Sequence, residues 1–355
     1  MESRIGHIDT LKTLAILGVI TIHICSGPLV QFQIGSLDWF LTLFWASISR
    51  WSVPVFLMCS GVLFLNPDKK ITIKQIFTKY MLRIVIALVF WALFYEMFDI
   101  LKAFHRSGYF DLAIINKSIK NLLTLNTHVH LYYIYIIILI YSLLPIIRVF
   151  SDAASKQQME YALLAWVILG IVLPFALRFY PLTLIKGIVT QYSLSLAYSS
   201  IGYFVLGGYL QRYTLRKRTT YIIYSLGLLG LVTTVFGTIV ASTASKTVIG
   251  MYLEGTAPNI AAMAAALFLL VKNLQGKASN TVGGKTKISR YISKASFCIY
   301  LVHVFFIMIF RDLNFFNPIV GPIYAIPLYV LLALILSIGV YFVLSKIPVV
   351  NKYLV

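Results

Sequence analysis

The sequence predicts an all-α, polytopic integral membrane protein with about ten transmembrane helices and both termini in the cytoplasm. Three observations carry that expectation. Hydrophobic residues make up 60% of the 355-residue chain and charged residues 12%, which excludes an ordinary soluble domain. Apolar runs of bilayer-spanning length recur from end to end, joined mostly by short polar connections. Lys and Arg collect in alternate connections, so the net charge of +19 reads as a topology signal and an attraction to anionic membrane lipid, with no call for nucleic acid.

The spans fall at 8–26, 38–65, 78–101, 131–149, 160–180, 185–211, 219–241, 247–272, 294–311 and 319–346. With the N-terminus in the cytoplasm, the basic clusters at 69–83, 212–218 and 272–294 all lie on that side, and an even count returns the C-terminus there. The first span has no small-residue cleavage site after it and is expected to be retained. The longest outer connection, 102–130, has the length of a lid or an acceptor-binding loop. The cytoplasmic stretch 273–293 reads as a basic linker. Its Gly283-Gly284-Lys285-Thr286 resembles a piece of a phosphate loop but lacks the first glycine and a preceding strand. Residues 1–355 leave no room for a separate soluble domain of normal size. No internal repeat is evident, which weighs against a transporter built from inverted halves. Cys25, Cys59 and Cys298 all sit in apolar segments, where neither a disulfide framework nor a metal site is expected.

Within these spans the polar residues mark the place for chemistry. Lys12 and His23 share one side of the first helix, eleven residues or about 16 Å apart. An ionisable group at membrane depth is costly and faces the protein interior or a wet cavity. Arg50 falls near the middle of span two and needs an anion, with Glu96 or Asp99 on span three as expected partners. Pro54 removes a helical hydrogen bond and kinks that span or frees a carbonyl. Tyr300 and His303 are neighbours on one face of span nine. His23, Arg50, Glu96, Tyr300 and His303 thus lie at similar depth on four helices, which points to a shared cavity with a histidine as general base. The structural alternative is a set of packing polar groups, with Arg50 paired permanently to an acid. No Gly-x-Ser-x-Gly elbow supports a nucleophilic serine, and the six histidines form no ligand-spaced pair backed by carboxylates, so no metal is expected. At the cytoplasmic ends of spans one and three, Lys12, Lys79 and Arg83 converge, either as topology anchors or as a clamp for phosphates.

These residues resemble the acyltransferase-3 family of membrane acyltransferases. Asp9-Thr10-Leu11-Lys12, ten residues and then His23 resembles that family's first-helix signature. Four more segments follow in order: Ser52-Val53-Pro54-Val55-Phe56 with Ser60-Gly61; His130-Leu131-Tyr132-Tyr133-Ile134-Tyr135 with Pro145; Tyr203-Phe204-Val205-Leu206-Gly207; and Ile292-Ser293-Lys294-Ala295-Ser296-Phe297 through His303. The likeness is to stand-alone members such as bacterial O-acetyltransferases acting on surface polysaccharides. It implies transfer of an acyl group, acetyl in the first place, from cytoplasmic acyl-coenzyme A (acetyl-CoA) to a hydroxyl of a cell-envelope or lipid-linked sugar or polysaccharide, at the plasma membrane. It implies that Lys12 and His23 are essential. The family's two arginines at the start of the third span are here reduced to Arg83, with Lys79 one place early. No hydrolase-like domain follows the tenth span, so any second transfer step falls to a partner protein. In the scheme implied, Lys12, Arg83 and Lys79 hold the phosphates, His23 acts as base or transient acyl carrier, and Arg50 or Tyr300 stabilises the oxyanion. The competing reading is a transporter or flippase of a polar metabolite or lipid-linked sugar using His23 in a proton relay. A sensing membrane domain is the third.

Overall fold

The computed structural model describes residues 5–192, 196–277, 285–313 and 321–355. Among them the chain is a helical bundle without strands, and nine helices are long and apolar enough to cross a membrane. It is an all-α polytopic membrane protein. Helix α1 (Gly6–Gln31) carries Asp9 in its first turn, where a carboxylate favours the positive end of the helix dipole. It packs against five of the other helices and forms the axis of the molecule. The second span is a broken pair, α2 (Leu37–Ser49) and α3 (Ser52–Phe64). Pro54 has no N–H to give the carbonyl of Arg50, so the helical ladder stops there and restarts at Ser52. The Ser52 hydroxyl donates to the carbonyl of Ser49 across the break. Gly18 makes room for that junction, because a Cβ there would lie 1.9 Å from the Ser52 hydroxyl.

The third span starts with a π-helical turn, Ile76–Met81, and continues as α4 (Leu82–Ser107), which Gly108 ends in the left-handed conformation at φ 78°. The connection read as an open stretch at 102–130 holds helix α5 (Leu112–Leu123), capped by the Asp111 carboxylate accepting from the Ala113 N–H. A short 3₁₀ turn, Val129–Leu131, leads into α6 (Tyr132–Ala153). Next come α7 (Lys156–Trp166), extended to Ala176 by a second π-helical turn, and α8 (Leu196–Arg212). The sixth expected span, 185–211, is represented by α8. Its 17 residues give about 26 Å, at the short end of what crosses a bilayer. Then follow α9 (Lys217–Ser245), α10 (Pro258–Lys277), α11 (Lys285–Asp312) and α12 (Pro322–Leu344). Within 273–293, helices occupy 273–277 and 285–293, while Gly283 and Gly284 lie outside the described residues.

Two interfaces fix the centre. Helices α3 and α8 cross in backbone contact: a Cβ at Gly61 would meet the Phe204 carbonyl oxygen at 1.8 Å, and one at Gly207 the Met58 carbonyl oxygen at 2.1 Å. The glycines of two separate resemblance segments therefore pack against each other's helix. On the other side α1 packs on α11, which brings His23 to His303.

Candidate active site

The site is built from α1, α3, α4, α6 and α11 around two cavities. The first opens at the basic end of the bundle. It is lined by Lys12, Arg83, Phe297, Ser60, Tyr133 and Tyr300 among others, and encloses about 210 Å3. That is below the usual size of a small-molecule site and suits a slender chain better than a nucleotide. Arg83 is half-buried. Its guanidinium lies over the Phe297 ring at 5.4 Å and donates through Nη2 to the carbonyl of Val355, while its Nε has no hydrogen-bond partner. Lys12 of α1 and Arg83, which reaches Val355, thus line the same cavity.

Beyond this cavity the imidazoles of His23, His130 and His303 surround one point. Their ring centroids are 5.2 Å (His23–His303), 5.9 Å (His130–His303) and 6.2 Å (His23–His130) apart. His303 is fully enclosed, at 0% exposure, and its Nδ1 lies 3.1 Å from the Ile299 carbonyl oxygen. In the neutral ring that contact places the hydrogen on Nδ1 and leaves the Nε2 lone pair buried without a partner. His130, 2% exposed, also has an unpartnered Nε2. His23 is half-buried. Tyr95 supports the cluster from behind. Its hydroxyl donates to the Leu301 carbonyl (2.7 Å) and accepts from the Phe305 N–H (3.2 Å), entering the α11 ladder on either side of His303. Its ring packs on His128 and His130 at 4.7 and 4.8 Å.

The second cavity, about 570 Å3, lies on the side away from the basic end and is lined by Ser26, Arg50, Tyr132, Tyr203 and Glu254 among others. Val53 lines both cavities. On α1, Val19 faces the first cavity and Ser26 the second, so His23 stands between them, one turn from each.

Lys12, Arg83 and Tyr300 line the first cavity and His23 lies beside His303, whereas the remaining three expected residues are placed differently. Lys79 is exposed and sits over the Tyr80 ring at 5.6 Å, outside the cavity. The wider π turn at 76–81 breaks the four-residue register that would have aligned it with Arg83. Glu96 is buried, at 4% exposure, but accepts from Asn121 Nδ2 at 3.1 and 3.4 Å and serves to dock α5. Arg50 pairs with neither expected acid, since Asp99 is bonded to His128 Nε2 at 3.1 Å, and it lies at the α2–α3 break. The Tyr300 hydroxyl is committed to the His130 carbonyl. The sequence puts His130 at the end of the 102–130 connection; the 3₁₀ turn folds it inward, and its place at the head of the aromatic run 130–135 is the signal for that. Among the described residues no group of His, Cys, Asp and Glu is arranged to hold a metal.

A bundle of this kind, with buried histidines between a basic mouth and a second cavity, has the form of a membrane enzyme. A family model described as an acyltransferase domain matches residues 5–342. The chain belongs to that acyltransferase family. A search of curated proteins and a search of solved structures each find no match.

Proposed function

We propose that the protein moves an acyl group, acetyl in the first place, from cytoplasmic acyl-coenzyme A to a hydroxyl of a cell-envelope or lipid-linked sugar, at the plasma membrane. The observation that carries this reading is the position of His23 between two cavities, one of them entered past Lys12 and Arg83. The phosphates of the donor stay at the basic mouth, where two cations stand, and the narrow cavity takes the pantetheine arm with the thioester at its inner end. The acceptor hydroxyl enters from the other cavity. His23 removes its proton while the alkoxide oxygen bonds the thioester carbonyl carbon. The tetrahedral adduct then collapses, the carbon–sulfur bond breaks, and the imidazolium returns the proton to the departing thiolate. Atoms and charge balance with no further reactant. The unpartnered Nε2 of His303 and of His130 give that proton neighbouring acceptors in an enclosed space. The Tyr300 hydroxyl, held by the His130 carbonyl, serves to place His130.

The test is acetyl transfer by purified protein in lipid nanodiscs, together with mass spectrometry of surface glycans from cells with and without the gene. His23→Ala should abolish transfer while the protein still folds, and Lys12→Ala should raise KM for acetyl-CoA. A well-folded His23→Ala protein that transfers at the wild-type rate would remove the central assignment. Movement of a solute without any thioester turnover would favour a transporter instead.

A further inference from the structure

Among the described residues Arg50 has no carboxylate counter-ion. Arg50 lines the larger cavity, its Nε is buried with no hydrogen-bond partner, and the titratable groups within electrostatic reach are the thiol of Cys25, the phenol of Tyr132 and the imidazole of His23. The nearest candidate acids hold other partners. Glu96 is held by Asn121 and Asp99 by His128. Glu254, which lines the same cavity, is gripped by both Arg178 nitrogens at 2.9 and 2.6 Å. A guanidinium cannot escape by losing its proton, so a half-buried one at membrane depth calls for an anion from outside the chain.

From this we infer that the larger cavity is the acceptor site and that it selects sugars bearing an anionic group, a carboxylate or a phosphate ester, which Arg50 binds. The inference rests on the acyl-transfer reading and names the class of its acceptor. The cavity suits such a ligand. Its volume of about 570 Å3 lies within the range of small-molecule sites, and Tyr132, Tyr203, Ser26, Ser200 and Thr256 offer ring faces and hydroxyls of the kind that hold sugars. Planar guanidinium matches either oxyanion with two parallel hydrogen bonds. The position also serves the chemistry. Arg50 and Ser26 share the cavity wall, and Ser26 is one turn from His23, so a sugar anchored by its anion on Arg50 can present a hydroxyl to the imidazole. The local fold explains why the arginine is there. The Pro54 break turns residue 50 out of a continuous helix and into the cavity.

The alternative role for Arg50, stabilising the oxyanion, makes a different prediction, since it would act on every acceptor alike. Purified protein is assayed with labelled acetyl-CoA and three probe acceptors: methyl glucoside, methyl glucuronide and glucose 1-phosphate. Wild-type protein should favour at least one anionic probe over the neutral one by about tenfold or more in kcat/KM. The arm that wins tells carboxylate from phosphate. Arg50→Gln should bring that ratio close to unity, and Arg50→Lys should keep part of it. A parallel fall on all three probes, with the ratio retained, assigns Arg50 to the oxyanion and overturns the inference; so does a wild-type preference for the neutral sugar. A second measurement separates this inference from the catalytic reading. The thermal midpoint of the wild-type protein is followed with each probe and no acetyl-CoA. Stabilisation by an anionic probe, lost in Arg50→Gln, upholds the anion site even if no acetyl is transferred, and equal effects of all three probes reject it.

Discussion

The contact between α3 and α8 gives the sharpest mutational test. A methyl group added at Gly61 would stand 1.8 Å from the Phe204 carbonyl oxygen, and real Cβ atoms essentially never come within 3.0 Å of such a neighbour. The obstacle is backbone and cannot rotate away, so Gly61→Ala must part the two helices by about 1.2 Å or distort one of them. Overpacking of this kind costs about 1–3 kcal/mol. A gap of this size also forfeits much of the dispersion along the crossing. Gly207→Ala drives the same pair apart from the other side, against Met58 at 2.1 Å. The double variant should therefore cost less than the sum of the single ones, because one separation relieves both clashes. Gly18→Ala is the contrast. Its nearest neighbour is the Ser52 hydroxyl, a side chain that can turn at the loss of its bond to Ser49, a matter of about 1 kcal/mol. The three cysteines, all buried and free, supply the assay: a thiol-reactive dye reports unfolding on a temperature ramp. The expected order of melting temperature is wild type, then Gly18→Ala, then Gly61→Ala and Gly207→Ala. Transfer should fall in the last two as well, since α3 carries Val53, Phe56 and Ser60 into the donor cavity. A Gly61→Ala protein that melts with wild type, or two strictly additive losses, would refute the close crossing.

Three further outcomes follow from particular bonds. Tyr95→Phe removes the hydroxyl that joins Leu301 to Phe305; it should cost about 1 kcal/mol in the dye assay and lower kcat with little change in KM, because it acts on the seat of His303. Asn121→Ala leaves the buried Glu96 carboxylate without its donor and should destabilise by about 1–3 kcal/mol, whereas Glu96→Gln should retain transfer within about twofold, a result that steady-state kinetics would contradict if Glu96 took part in the chemistry. Deleting residues 352–355 frees Arg83 from the Val355 carbonyl and should lower KM for acetyl-CoA; a raised KM would mean that the contact orients Arg83 for the donor.

Hydropathy and helical register gave depth, and depth alone accounts for what was legible. The spans, the approach of Lys12 to Arg83, and the level shared by His23, Tyr300 and His303 all follow from counting residues along apolar helices. What they leave open is the direction each side chain faces, which helix packing and local breaks decide. Lys79 lies one turn from Arg83 in sequence, and a π turn carries it to the surface. Glu96 has the right depth for the cavity, but its partner Asn121 sits in a segment whose polar composition hid the helix Leu112–Leu123. The break at Arg50 was announced by Pro54, although the side to which it would turn the guanidinium depends on Gly18 and the α1 surface. For His130 the opposite holds. Its neighbours looked like the end of a loop, while burial by Tyr95 and Tyr300 comes from helices far away in sequence.

Two of the half-buried arginines, Arg50 and Arg83, show how the charges divide the work. Each has an Nε shut away without a partner, yet their surroundings differ. Arg83 already holds the Val355 carbonyl and an aromatic face, so a donor phosphate arriving there exchanges one set of contacts for another. Arg50 holds nothing among the described residues, so an anionic acceptor supplies what the chain itself lacks. Exchange gives modest net affinity, since the lost contacts offset the new ones, whereas an anion reaching Arg50 displaces no protein partner and its binding is offset by desolvation alone. Donor binding is therefore expected to be shallow and readily reversed at the basic end, and discrimination between substrates to rest with the acceptor. Under the proposed acyl transfer, that division places selectivity with the acceptor, where it decides the product.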